Sequence, residues 1–138
     1  MIASMSRLHV EHGLRWRWTP TRVEKQIRDP DTMTLVASVD GDFAGFAIMV
    51  FGEVRARLVL LAVAPRYRRS GIATSLLNWL EKSCVTAGIQ EIRLEVRAGN
   101  RQAQQFYGNR GFTPCGQIAG YYDCREAAVL MTRSLAVA

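Results

Sequence analysis

The sequence predicts an α/β domain: a mixed central sheet with flanking helices. Three stretches carry that expectation. They are the apolar run RLVLLAVA (57–64), the four-residue apolar repeat over 71–87 and the alternation of EIRLEVR (91–97). A strand, a helix and a second strand in one sheet make the two strands parallel neighbours.

The elements follow in chain order. TPTRVEKQIRD (19–29) opens on Thr and Pro, which suit a helix's first turn, and Pro30 stops it. TMTLVASVD (32–40) and GDFAGFAIMVF (41–51) flank the turn signal DGD and predict a hairpin. The run 57–64 is apolar from Leu58 onward and bounded by Pro65, as in a central strand covered on both faces. In the helix over 71–87, Ile72, Leu76, Leu80 and Cys84 form one stripe with Leu77 beside it, and Gly88 follows as the stop. In 91–97, Ile92, Leu94 and Val96 face one way and Glu91, Arg93, Glu95 and Arg97 the other. A second helix spans 101–110, with Asn100 as N-cap and Gly111 at its end. Two antiparallel strands near 112–119 and 126–135 close the chain.

At 138 residues, with 49 % hydrophobic residues and no internal repeat or linker, residues 1–138 are expected to form a single domain with a real core. No apolar run reaches membrane-spanning length and the N-terminus has no apolar signal region, so a cytoplasmic protein without membrane contact is expected. The net charge of +6 suggests an anionic partner. No nucleic-acid motif accompanies it, so no nucleic acid is expected. Cys84, Cys115 and Cys124 lack metal-ligand spacing; no metal is expected, and Cys84 reads as a small core residue. His9 and His12 read as surface or packing residues.

The junction APRYRRSGIA (64–73) is built for an anion. It lies where a buried strand gives way to a helix, whose first-turn N–H groups carry partial positive charge. Gly71 and Ala73 keep the backbone approachable, and Arg68 and Arg69 can add charge-assisted bonds. Arg66 is expected at the solvated surface. The junction is neither GxxxxGK[ST] nor GxGxxG, so a phosphate compound held differently from a nucleoside triphosphate or dinucleotide is expected. The plain alternative is a βα turn with surface arginines. In NRQAQQFYGNRGF (100–112), Asn100 and Tyr107 stand seven residues apart, which puts them on one helix face about 10 Å apart. Both are expected to line one groove, with Phe106 turned to the core beside Phe112. The alternative for Tyr107 is a core tyrosine with its hydroxyl at the rim.

Together these stretches resemble the GNAT superfamily of acetyl-CoA-dependent N-acetyltransferases. The pattern [RQ]-x-x-G-x-[GA] is met by Arg68, Gly71 and Ala73. N-x-x-A-x-x-[FL]-Y-x-x-x-G-F is met by Asn100, Ala103, Phe106, Tyr107, Gly111 and Phe112. The likeness covers about 33–135, and within the superfamily the chain is most similar to the bacterial ribosomal-protein-alanine N-acetyltransferases. The first thirty residues depart from it.

The resemblance implies the GNAT fold, in which the strand 57–64 splays from the parallel strand 91–97. It implies acetyl-CoA as co-substrate. Its diphosphate would lie on Arg68, Arg69, Ser70, Gly71, Ile72, Ala73 and Thr74, and its pantetheine arm on backbone groups of Leu61, Ala62 and Val63 and on Asn100. It also implies Tyr107 near the thioester sulfur as general acid, Glu95 as base, and Tyr121 and Tyr122 walling the acceptor channel. A backbone N–H near Ala62 or Val63 would hold the oxyanion. Glu95 has an alternative reading as a carboxylate salt-bridged between Arg93 and Arg97, and the tyrosine pair as an aromatic loop. Trp16 and Trp18 read as staples of the first helices or as a second channel wall. The expected acceptor is a primary amine, a protein N-terminus foremost. The alternatives are a small amine, such as a polyamine, aminoglycoside or amino acid, or a non-catalytic acyl-CoA-binding module.

Overall fold

The structure is a computed structural model and describes residues 21, 24, 25, 28–122 and 126–135. The expectations for His9, His12, Trp16, Trp18 and Cys124 lie outside the described residues, as does most of the first helix. Within that helix Thr21, Glu24, Lys25 and Arg28 are helical, and Glu24 pairs with Arg28 one turn on at 2.5 Å.

The described elements are β1 (Thr32–Val39), β2 (Asp42–Phe51), β3 (Arg55–Val63), a 3₁₀ turn (Pro65–Tyr67), α1 (Ile72–Thr86), β4 (Glu91–Arg97), α2 (Arg101–Asn109), β5 (Thr113–Tyr122) and β6 (Glu126–Ser134). The strands form one sheet in the order β1-β2-β3-β4-β6-β5. Among the described strands only β3 and β4 pair in parallel, joined through α1 as the strand–helix–strand pattern requires. The β1–β2 turn places Asp40 and Gly41 at φ 50° and 85°, the mirror-image turn that matches hairpin twist.

Alternation along the strands divides the core between the two faces of the sheet. The larger cluster gathers Ala47, Met49, Ala56, Leu58, Ile92, Leu94 and Val96 under Leu76, Leu77, Leu80 and Cys84 of α1 and Tyr107 of α2. A smaller one on the other face holds Phe46, Ile48, Leu60 and Ala62. No side chain caps the N-terminus of α1. That omission costs about 1 kcal/mol or less. Each fully buried leucine of the stripe contributes about 1.5–3 kcal/mol, so packing decides the matter and the first turn is free for another use.

A bulge in β3 reshapes the middle of the sheet. Ile48 is opposite Leu60 while Met49 is opposite Leu58, so Val59 is an extra residue on β3. The bulge reverses facing. Before it, Ala56 and Leu58 point into the larger cluster; after it, Leu60 and Ala62 point into the smaller one. The β3–β4 pairing ends at the same place. It runs from Arg55–Glu91 to Leu58–Leu94 and stops. Beyond that point β3 stays on β2 as far as Val63, and β4 stays on β6 as far as Arg97. The two parallel strands thus part, as the resemblance implied, and a gap opens between 59–63 and 95–97.

Glu126 fastens the far side of that gap. Its carboxylate accepts from the Gly99 N–H at 2.8 Å and from Arg97 Nε at 2.9 Å. The Gly99 amide first, then Arg97, hold the carboxyl below its ordinary value. A group depressed in the folded chain adds stability above its unfolded value, about 4.3, and that stability is lost as pH falls through the folded value. Glu126→Gln is therefore expected to flatten the fall of Tm between about pH 6 and 3. Thermal melts across that range check it; an acid slope equal to that of the unmodified chain would refute it.

Candidate active site

The junction from β3 into α1 has the character of an anion cradle. Arg69 and Gly71 adopt φ 62° and 83°. A Cβ on Gly71 would meet nothing within 4 Å, so the backbone conformation, not space, calls for glycine there. Tyr67 N–H closes the 3₁₀ turn on the Ala64 carbonyl at 2.9 Å, and the Ser70 hydroxyl donates to the Tyr67 carbonyl. Gly71 is the N-cap, with no side-chain cap and no acidic residue in the first turn. The amides of Ile72, Ala73 and Thr74 therefore keep their partial positive charge for a ligand. Arg66 is tied away from this cradle. It reaches Asp42 at 3.3 Å and the Tyr67 hydroxyl at 2.7 Å, and its guanidinium lies 4.7 Å from the Tyr67 ring centre. Arg68 donates from Nε to the Val63 carbonyl at 3.1 Å, which fixes its guanidinium where the gap meets the helix.

Backbone direction along β3 narrows one expectation. Ala64 N–H donates to the Ala44 carbonyl of β2 at 2.7 Å. In an antiparallel ladder alternate residues turn the same way, so Ala62 also turns its N–H and C=O to β2. Leu61 and Val63 turn theirs toward the gap, where β4 no longer pairs. Val63, not Ala62, therefore turns its N–H toward the gap.

On the other strand, Ala103 N–H donates to Asn100 Oδ1 at 3.0 Å, the expected N-cap. The Gln104 amide donates to the carbonyls of Arg97 and Ala98 at 3.2 and 2.9 Å and locks the turn into α2. The two residues that helical spacing puts on one face differ in burial. Asn100 is exposed, whereas Tyr107 is buried, its ring edge-on to both Phe106 at 5.2 Å and Phe112 at 5.6 Å. Tyr107 thus packs in the core with Phe112, and the partly buried Phe106 packs against it.

Glu95 faces away from that aromatic core, beyond the last β3–β4 pair. Its partner is neither Arg93 nor Arg97. Arg93 pairs with Glu91, and Arg97 with Glu126. Glu95 instead accepts from Arg57 Nε at 3.0 Å, and Arg57 Nη2 donates to the Tyr121 hydroxyl at 3.0 Å. Burial alone would lower the Arg57 pKa, but the bonds and charges of Glu95 and Tyr121 outweigh it and raise it. Tyr121 and Tyr122 are the last residues of β5, not a loop; the side chain of Tyr122 is outside the described residues. Arg57 is the functional candidate that sequence reasoning missed. The alternation of RARL signals its facing, but only the β3–β4 register brings it to Glu95.

Tyr107 thus lies in the core on one face of the sheet and Glu95 on the other, with an amide-rich helix start at the end of the gap. Such a slot suits an extended acyl thioester carrying a diphosphate. Burial, then Glu81, raises the Cys84 thiol to about 11, so it stays protonated and inert. Among the described residues no group of three His, Cys, Asp or Glu could hold a metal ion, and no helix is long and apolar enough to cross a membrane.

Known proteins share this architecture. Residues 4–112 match the Acetyltransferase (GNAT) family, a span that reaches into the N-terminal segment where the motifs carried no likeness. The chain is 36 % identical over 95 residues to the [Ribosomal protein bS18]-alanine N-acetyltransferase of Escherichia coli K12. That match covers 67 % of this chain and 64 % of the relative, so the chain spans under two thirds of its length. The crystal structure of the ribosomal-protein-S18-alanine N-acetyltransferase from Escherichia coli is similar at TM-score 0.81 and 27 % identity, over 99 % of this chain and 88 % of that one. Nourseothricin acetyltransferase is similar at TM-score 0.74 and 31 % identity, over 78 % and 68 %.

Proposed function

The chain belongs to the GNAT acetyltransferase family, and from that premise we propose that it is an N-acetyltransferase moving acetyl from acetyl-CoA to a primary amine, a protein N-terminal α-amine foremost. The observation that carries this reading is the parting of β3 from β4 beside the uncapped start of α1. Similarity to a ribosomal-protein-alanine N-acetyltransferase favours the N-terminal acceptor, and a ribosomal acceptor would support a cytoplasmic reaction.

Acetyl-CoA supplies an activated thioester. Arg68, Arg69 and Ser70 with the amides of Gly71, Ile72, Ala73 and Thr74 hold its diphosphate. Leu61 and Val63 offer backbone groups to the arm, as an added strand would use them, and Asn100 lies at its flank. The Val63 N–H stabilises charge on the carbonyl oxygen as the amine attacks. Glu95 takes the proton the amine loses, and the Tyr107 hydroxyl gives one to the departing thiolate. Tyr121 walls the acceptor side. An α-amine, with pKa about 8, is already roughly a tenth neutral at pH 7, against less than about a thousandth of a lysine, so a modest base suffices.

The likeness to nourseothricin acetyltransferase favours a second reading, a small-molecule amine acceptor. Incubation with acetyl-CoA and a panel of peptides, free or blocked at the N-terminus, beside aminoglycosides and polyamines, separates the two. Fragment mass spectra are expected to place acetyl on peptide α-amines. Acetylation of small amines alone would favour the second reading, and no release of CoA with any amine would refute both.

A further inference from the structure

We propose that Arg57 is a positioning residue for acetyl transfer, holding the Glu95 carboxylate and the Tyr121 hydroxyl in one fixed arrangement on the acceptor side of the gap. The proposal rests on the N-acetyltransferase reading above and adds to it a residue outside the GNAT motifs.

Register makes the contact unusual. Arg57 lies directly opposite Arg93 in the parallel ladder. Like charges face to face are unfavourable. Arg93 turns back to Glu91, which Arg55 also approaches at 3.8 Å. Arg57 turns the other way, past the last paired residues, to Glu95. It therefore spans the mouth of the gap. The bulge at Val59 immediately follows, so Arg57 is the last outward-facing residue of β3 before the strand swings away.

The guanidinium is a rigid plane, and its Nε and Nη2 bonds set the spacing of their two acceptors. Those acceptors come from β4 and β5, 38 and 64 residues along the chain. The Glu95 side chain is 20 % exposed and that of Arg57 50 % exposed, so the carboxylate is the more sheltered member. The groups facing Glu95 leave it few other partners. Arg93 and Arg97 on its own strand are committed to Glu91 and Glu126, its register partner on β6 is the apolar Leu130, and Arg55 of β3 lies by Glu91. Among the described residues Arg57 is the cation bonded to it. The bond engages Oε2 and leaves Oε1 for the amine proton.

Arg57→Gln and Arg57→Lys test this with a peptide acceptor. Both are expected to lower kcat about tenfold or more, since neither restores the two-pronged hold, with KM for acetyl-CoA changed less than about twofold. Unchanged kcat in Arg57→Gln would overturn the proposal alone. So would a parallel loss of acetyl-CoA affinity and Tm, which would mark a merely structural role. An unmodified chain that acetylates no amine would overturn the acetyltransferase reading and this proposal with it.

Discussion

Replacing Glu95 with glutamine is expected to lower kcat for a peptide acceptor by about 10²- to 10³-fold at pH 7 while leaving KM for acetyl-CoA nearly unchanged. The substitution is close in shape. The new side-chain amide would keep a carbonyl oxygen to accept from Arg57 Nε, so the hold seen at 3.0 Å and the course of β4 can persist. What is lost is the ability to take the amine's proton. The deficit should therefore shrink as pH rises past about 8, where an α-amine is already neutral and needs no base. The competing role for Glu95 is an ion-pair partner on a charged face. In that case the variant would turn over normally and lose less than about 1 kcal/mol of stability, as half-exposed pairs do. Rate profiles from pH 6 to 9.5 and a thermal melt decide between the two, because a pH-dependent rate deficit cannot come from a lost surface pair.

Much of this fold was legible in the chain because its patterns are strong. The stripe of α1, the alternation of EIRLEVR, the Asn100 cap and the glycines at helix ends all stand where pattern reasoning puts them. The unread features share a cause. The run LVLLAVA is apolar at every position, so its facing carries no periodic signal, and the bulge at Val59 with the reversal after it cannot be read from composition. That reversal decides that Val63 rather than Ala62 faces the gap. The Arg57–Glu95–Tyr121 contact joins three strands through registers that no local pattern encodes. Helical spacing relates Asn100 to Tyr107, but the edge-on packing of the phenol ring against Phe106 and Phe112 is tertiary and no local spacing encodes it. The end of β5 was missed because tyrosines after a glycine suit a strand as well as a loop.

Gly45→Ala is expected to be the other severe substitution, and it tests the gap itself. Gly45 is opposite Val63. A Cβ there would lie 2.7 Å from the Ala62 carbonyl oxygen and 3.3 Å from Val63 Cα. Both are backbone atoms, which cannot rotate aside. Ala44 and Phe46 on either side are fully buried, and the Ala64 N–H bond to Ala44 pins the end of β3 at 2.7 Å, so β2 has little room to retreat. The free direction is the unpaired edge of β3 beyond Leu58. The strand should therefore shift into the gap, displacing the Val63 amide and narrowing the slot for the acyl arm. Overpacking of this kind costs about 1–3 kcal/mol. The same shift is expected to weaken acetyl-CoA binding about tenfold or more, because misplacement by even an ångström is costly at a preorganised site. Gly108→Ala is the matched control. A Cβ at Gly108 meets nothing within 4 Å, and alanine favours the helix α2 by about 1 kcal/mol, so Tm should rise with acetyl-CoA affinity retained. Calorimetric titration with acetyl-CoA, paired with melts of both variants, reads the two effects separately. Gly45→Ala binding acetyl-CoA as tightly as the unmodified chain would mean that the coenzyme does not lie along β3.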